Sequence, residues 1–360
     1  MPTNYSEQNH VPIHFRKRIL VIGGNGFVGS HLVQQLRDSG HELAILHRSA
    51  DADSLSPELV KIRGDRNRLS DCRKQIQRFS PDVIIDLILS SGEQARQLMD
   101  ESGELVRRVV AISSMDVYRA WGVVHGSEPG PLEPLPLTED SPLRNARQLY
   151  PPQTVKMLQS TFTWLDDHYD KIAVEQAIMS SSVVSGTVVR LPMVYGPGDR
   201  LHRFFPLVKR FADGRPAILL SEDWAAWRGP RGYVENVANA IALAATLDIA
   251  AGRVYNICQE PTLSELAWQK MIAKQVRWNG RFVVLSRERT PKHLLQPGNA
   301  AQHAVASSER IRGELGYNES VEIDEALNRT VTWEQKNPPG IINPQQFDYD
   351  AEDAALASQA

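Results

Sequence analysis

Apolar residues in the first half of this chain come in short continuous runs, separated by stretches of helical periodicity. Ile19-Leu20-Val21-Ile22, Leu43-Ala44-Ile45-Leu46 and Val60-Lys61-Ile62 read as three strands. Val83 to Leu89 and Val109 to Ile112 read as a fourth and a fifth, and Thr187 to Leu191 as a sixth. Between the first two runs, Val28, Leu32 and Leu36 share one helical face, and Gly40 stands where a helix would terminate. A further helix is predicted near Tyr169 to Met179. Strands apolar on both faces, alternating with amphipathic helices, predict an α/β fold: a doubly wound parallel sheet.

The second half is less regular. A break rich in proline (Pro129, Pro131, Pro134, Pro136, Pro142) spans about Gly126 to Pro152 and reads as an irregular surface insertion. From about Leu201 the pattern mixes helices with the apolar run Phe282-Val283-Val284-Leu285, which predicts a smaller C-terminal α/β lobe. Tyr233-Val234 and Val254 to Ile257 read as two returns to the sheet, so lobe and sheet interleave. The organisation expected is a sheet domain over 16–200, completed by parts of 230–260, and a lobe over 201–339. Residues 1–15 and 347–360 read as mobile tails, the second carrying Asp350, Glu352 and Asp353 among alanines.

The first strand runs directly into Gly23-Gly24-Asn25-Gly26-Phe27-Val28-Gly29, three glycines at GxxGxxG spacing opening a helix. In that setting each glycine has a physical role. One allows the tight turn, one lets the backbone approach a pyrophosphate, and one lets helix and strand pack closely. The helix N–H groups then face the phosphates. This is the start of a dinucleotide-binding unit. Composition narrows the class further. A formal net charge of -3 argues against a nucleic-acid partner. Cys72 and Cys258 lie far apart without metal-ligand spacing, so no metal is expected and two free thiols in a reducing cytoplasm are. The first fifteen residues have no apolar signal-like core, and no apolar run is long enough to span a bilayer.

The glycine spacing, followed by Phe27-Val28, resembles the extended short-chain dehydrogenase/reductase superfamily, the NAD-dependent epimerases and dehydratases. The resemblance runs from about Arg16 to about Pro339 and implies a Rossmann domain with a substrate lobe. It implies Gly23, Gly26, Phe27, Val28 and Gly29 around the pyrophosphate. Where NAD-binding relatives end the second strand with an acidic residue, this chain has His47-Arg48. A guanidinium there pairs with a 2′-phosphate, which points to NADP(H); Asp51 or Asp53 serving NAD is the alternative, and a solvated Arg48 the plain one. The resemblance assigns Asp65 to the adenine amino group, against an Asp that only caps the next turn. Asp86-Leu87-Ile88-Leu89 departs from the family's His-Leu-Ala-Ala, so that Leu87 would crowd the ribose.

Ser113-Ser114-Met115-Asp116-Val117-Tyr118 resembles the family's Ser-Ser-x-x-Val-Tyr signature and places Ser114 where a hydroxyl meets the reacting oxygen, a loop cap being the alternative. The partner Tyr-x-x-x-Lys is broken. Lys171 and Glu175 match the Lys-x-x-x-Glu continuation, but position 167 is Asp and Tyr169 precedes the lysine by two residues. On a helix such a pair points roughly 200° apart. Three outcomes stay open: Tyr169 aimed by a non-helical turn, Tyr118 or Tyr150 in its place, or a dinucleotide-binding shell without the chemistry. In the first, Ser114, Tyr169 and Lys171 are the catalytic set.

Arg190-Leu191-Pro192-Met193-Val194-Tyr195-Gly196-Pro197 resembles the segment that passes the nicotinamide and enters the substrate lobe. It assigns Pro192 to the cofactor and Met193 and Tyr195 to the substrate. Arg203, Arg228 and Arg231 then become candidates for a substrate diphosphate, against ordinary exposed arginines. The reading is an NAD(P)-dependent epimerase, dehydratase or reductase acting on a nucleotide-sugar or other carbonyl or carbinol substrate. A homodimer is compatible with the sequence. The alternative is a non-catalytic dinucleotide-binding regulator or RNA-associated scaffold.

Overall fold

The computed structural model describes residues 16–48, 57–103 and 105–358. Among the described residues the eleven strands are β1 Arg18–Ile22, β2 Glu42–His47, β3 Val60–Arg63, β4 Val83–Asp86, β5 Arg108–Ser114, β6 Ser185–Leu191, β7 Met193–Tyr195, β8 Ala217–Ser221, β9 Arg231–Tyr233, β10 Val254–Asn256 and β11 Arg281–Leu285. Seven form the main sheet, in the order β3-β2-β1-β4-β5-β6-β10, and every pairing is parallel. The strand order reverses between β1 and β4, and a crevice at the carboxyl ends of such neighbours is where open α/β sheets hold ligands.

The period of two along each strand sorts the core into two layers. Ile19 and Val21 of β1, Val83 and Ile85 of β4, and Val110 and Ile112 of β5 face one side. There they meet α1 (Phe27–Asp38) through Leu32 and Leu36. Leu20, Ile22, Ile84, Val109 and Ala111 face the other, against α2 (Arg73–Phe79) and α3 (Gly92–Ser102). Each Val, Leu or Ile among them contributes about 1.5–3 kcal/mol on full burial. The α1 helix ends as predicted: Gly40 takes φ +81°, and the N–H groups of Gly40 and His41 return to the carbonyls of Arg37 and Leu36.

The helices α4 (Arg119–Val124), α5 (Pro152–Thr161) and α6 (Lys171–Met179) follow β5. After β6 come α7 (Phe205–Ala212), α8 (Glu222–Ala226), α9 (Val234–Thr246), α10 (Glu265–Gln275), α11 (Glu309–Leu315), α12 (Ile323–Lys336) and α13 (Tyr349–Ala357). The α9 helix returns to the main sheet and packs beside α1. No helix of the described residues is long and apolar enough to cross a membrane.

Four expectations are corrected. β4 stops at Asp86, short of Leu89, because the Asp86 carboxylate accepts from the Ile88 N–H at 3.0 Å and from Arg66 at 3.0 and 3.1 Å, which turns the chain out of the ladder. Tyr233 does not return to the main sheet: β9 pairs with β7 in a separate two-stranded ribbon, and only β10 joins β6. The proline-rich stretch is irregular but not superficial. Leu137, Arg144 and Leu149 are buried, and the Leu137 N–H donates to Val305 O at 2.8 Å. The C-terminal segment is ordered over Tyr349–Ala357: Glu352 of α13 is fully buried and bonds Arg210 Nη2 at 2.7 Å and His293 Nε2 at 3.0 Å. Residues 1–15 lie outside the described residues.

Candidate active site

At the switch point a cavity of about 350 Å³ opens between β1 and β4. Its floor is the glycine turn. Gly23 has φ +85°, which L side chains rarely adopt, and a Cβ on Gly29 would collide with the Gly23 carbonyl, so helix and strand meet at that contact. Gly26 is different. Its backbone is extended, and a Cβ there would stand 3.3 Å from Gly23 O and meet nothing else within 4 Å, at a position that lines the cavity. No side chain caps α1, so its first N–H groups keep their capacity for an anion. The turn therefore fits a pyrophosphate. Phe27, Val28 and Leu87 line the same cavity, and Pro192 closes it from the far side.

The carboxyl end of β5 supplies the polar wall. Ser114, Asp116, Tyr150, Tyr169 and Lys171 all line the cavity. The Ser114 Oγ accepts from the Asp116 N–H at 3.2 Å, so it caps the short turn that follows while still facing the cavity. Tyr169 lies ahead of α6, whose N-cap is Asp170, and is free of the helical spacing that would part it from Lys171. Its hydroxyl does not bond Ser114. It donates to Asp116 Oδ2 at 2.9 Å, and the Tyr150 hydroxyl reaches the same oxygen at 3.4 Å. Burial, then the Asp116 carboxylate, push the Tyr169 phenol well above the usual tyrosine range.

Lys171 is buried, and its Nζ donates to the carbonyls of Leu89 and, at 2.9 Å, Ile112. Burial lowers its amine to about 8, against the opposing charges of Asp116, Asp86 and Glu175. Its Nζ stands 5.9 Å from the Tyr169 ring centroid. Glu175 is structural: it accepts from Ser113 Oγ at 2.6 Å and holds the Arg190 guanidinium at 2.7 and 2.9 Å. Tyr118 is structural too, fully buried between Asn256 Oδ1 at 2.6 Å and Arg190 Nη1 at 2.8 Å, which removes it as a stand-in acid/base. Sequence reasoning missed Asp116, although it sits inside the quoted serine motif. It also missed the cover formed by Leu158, Phe162 and Trp164, which follows the proline-rich break.

Several candidates lie apart. The exposed Arg48 donates to Thr163 Oγ1 at 3.0 Å, and Asp51 and Asp53 fall outside the described residues. Asp65 caps the turn after β3, accepting from the Asn67 N–H at 2.9 Å. Met193, Tyr195, Arg203 and Arg231 line a second cavity of about 350 Å³ in the lobe, with Trp224 and Trp268, and Arg203 also borders the first. Arg203 is held by both Asp199 oxygens at 2.8 and 2.9 Å, and Arg231 pairs with Glu265. Arg228 is exposed and lines neither cavity.

A parallel sheet of this order, with a glycine turn at its switch point and an interleaved lobe, is the architecture of the extended short-chain dehydrogenases/reductases. The profile of the NAD dependent epimerase/dehydratase family matches residues 19–258. The chain belongs to that family. A curated relative, sterol-4-alpha-carboxylate 3-dehydrogenase (decarboxylating) of Candida albicans, is 22% identical over 368 residues, covering 88% of this chain and 97% of its own. Among solved structures, MoeE5 in complex with UDP-glucuronic acid and NAD is 22% identical, with TM-score 0.62 over 89% of this chain and 99% of its own. UDP-glucose 4-epimerase of Thermotoga maritima with UDP-glucose is 17% identical, with TM-score 0.62 over the same shares. The dTDP-glucose 4,6-dehydratase of Bacillus anthracis in complex with NAD is 16% identical, with TM-score 0.63 over 89% and 97%.

Proposed function

We propose that the protein is an enzyme that binds a nicotinamide dinucleotide and carries out oxidoreduction, alone or as part of an epimerisation or dehydration, at a carbinol or carbonyl carbon of a small molecule. One observation carries this reading. The glycine turn, Ser114, Tyr169 and Lys171 line a single cavity at the sheet's switch point. When bound, the dinucleotide supplies the hydride acceptor or donor. The glycine turn and the uncapped start of α1 hold the phosphates, and Lys171 fixes the ribose side while its charge faces the Tyr169 ring. Ser114 orients the substrate oxygen, and the Tyr169 hydroxyl exchanges the proton. NADP(H) is the proposed form, because Arg48 directly follows β2 where an acidic residue would otherwise select NAD. The buried free thiols Cys72 and Cys258 suit a reducing, cytoplasmic setting.

The substrate class follows from the lobe cavity. Nucleotide sugars, named for the solved relatives, are one candidate. A second is favoured by a specific observation: Arg203 and Arg231 are already neutralised by Asp199 and Glu265, and the remaining wall includes Phe204, Leu207, Trp224 and Trp268. Such a wall suits the alicyclic ring body of a sterol-like carbinol, the ring system in the name of the sterol-4-alpha-carboxylate relative. Calorimetric titration with NADP+ and NAD+, followed by absorbance assays with UDP-glucose, dTDP-glucose and a hydroxysteroid, tests both. Dinucleotide binding without turnover of any carbinol would favour the non-catalytic regulator.

A further inference from the structure

We propose that Asp116 is the proton acceptor of this site, working through the Tyr169 hydroxyl, so that a carboxylate–phenol pair replaces a lysine-activated tyrosinate. The inference rests on the oxidoreductase reading above. The Tyr169 hydroxyl is spent on Asp116 Oδ2 at 2.9 Å. Its raised pKa keeps it a neutral donor at rest, held so by burial and by the carboxylate it faces. Lys171 does not reverse this, because two of its three ammonium protons go to the carbonyls of Leu89 and Ile112, and towards Tyr169 its Nζ meets the ring and makes no hydrogen bond to the hydroxyl. A phenol placed between a carboxylate and a cavity is a proton relay and not a base.

The second oxygen of Asp116 strengthens the case. Asp116 Oδ1 is buried without a hydrogen-bond partner among the described residues. The nearest guanidinium nitrogen, Arg144 Nη2, stands 3.9 Å away and is itself unpartnered. A carboxylate kept only for packing would leave neither atom idle at such cost. The groups facing it are Tyr169 and Tyr150 by hydrogen bond, Arg144 by charge, and Lys171 and His125 within electrostatic reach.

The step balances as follows. A substrate carbinol gives its O–H proton to the Tyr169 oxygen as Tyr169 passes its own proton to Asp116 Oδ2. The C–H bond breaks with its electron pair going to the oxidised nicotinamide, and a C=O bond forms. The substrate is oxidised, the dinucleotide reduced, and Asp116 is left as the neutral acid. Reduction runs the same relay backwards.

Asp116→Asn separates this from a structural role, since the amide oxygen still accepts from Tyr169 but takes no proton. Turnover is expected to fall by about 10²-fold or more, with dinucleotide affinity changed by less than about twofold. The pH profile of turnover should change shape, and Asp116→Glu should restore part of the rate. In dinucleotide-free protein, alkaline titration of the tyrosinate ultraviolet band should show two phenols, Tyr169 and Tyr150, ionising at lower pH in Asp116→Asn than in wild type. Tyr169→Phe added to that variant should remove one of these two steps and leave the Tyr150 step. Wild-type turnover and an unchanged phenol titration in a folded Asp116→Asn protein would overturn the proposal while leaving the oxidoreductase reading intact. Should Asp116→Asn fail to fold, Tyr169→Phe decides: if the phenol lost from the wild-type titration ionises in the ordinary tyrosine range, the carboxylate–phenol pair is refuted. Should wild type turn over no carbinol, the oxidoreductase reading fails separately, and the acceptor role fails with it.

Discussion

Lys171 gives the sharpest test of the site's electrostatics because its charge is enclosed by the fold. Its amine falls from the ordinary lysine value of 10.5 to about 8 through burial. Between those values the unfolded chain binds a proton that the native protein does not, so stability rises with pH through the window. Below it both states are protonated, and the native state carries the whole cost of an enclosed ammonium, about 3 kcal/mol. By pH ~9.5 about 2 kcal/mol of that cost is relieved. Lys171→Met removes the charge but strands the carbonyls of Leu89 and Ile112, each a loss of about 1–3 kcal/mol. The two effects offset near neutral pH, so the variant's stability there should lie close to wild type. Its pH dependence should not. In urea unfolding of dinucleotide-free protein, wild type should gain about 2 kcal/mol over Lys171→Met between pH ~7 and pH ~9.5. Other groups titrating in this range cancel in the comparison. Equal pH slopes in the two proteins would refute the enclosed-amine account.

Gly26→Val should abolish dinucleotide binding by calorimetry in a protein that still folds, since its backbone accepts a side chain and only the phosphate approach is blocked; retained affinity would argue against the glycine turn as the site. Arg48→Ala should weaken NADPH by about tenfold or more and leave NADH nearly unchanged, and equal losses would remove Arg48 as the selector. Glu175→Ala leaves the Arg190 guanidinium buried and unpaired, and should destabilise the protein by about 3–5 kcal/mol in the same urea assay. A loss below about 1 kcal/mol there would mean that water or Tyr118 compensates.

The cofactor half of the site was legible because it is written in local chemistry. Gly23, Gly26 and Gly29 are demanded by a turn and a helix start that span seven residues, and the strand before them announces itself by burial on both faces. The acid/base half was not legible. A break of register between Tyr169 and Lys171 counts against a site only if both lie on one helix, and α6 begins at Lys171. That start is set by Asp170, whose carboxylate accepts from the Ala173 N–H at 3.1 Å, a cap visible in the sequence yet unweighed. The mobile tail was misread because acidic residues among alanines look solvated, whereas Glu352 is matched by Arg210 and His293 from distant parts of the chain.

What the sequence determined by itself was the layered sheet, the glycine cradle and the serine motif at the end of β5, each fixed by residues within a turn or two of one another. Tertiary structure alone decided where the charges went. Asp116 became the partner of Tyr169 across 53 positions, Glu175 the partner of Arg190 and not of the site, and Glu265 the neutraliser of Arg231, which sequence offered to a diphosphate. The physical reason is range. Apolar periodicity and backbone torsion are satisfied locally, but a buried charge must find an opposite one wherever the fold brings it, and only the folded chain makes that choice.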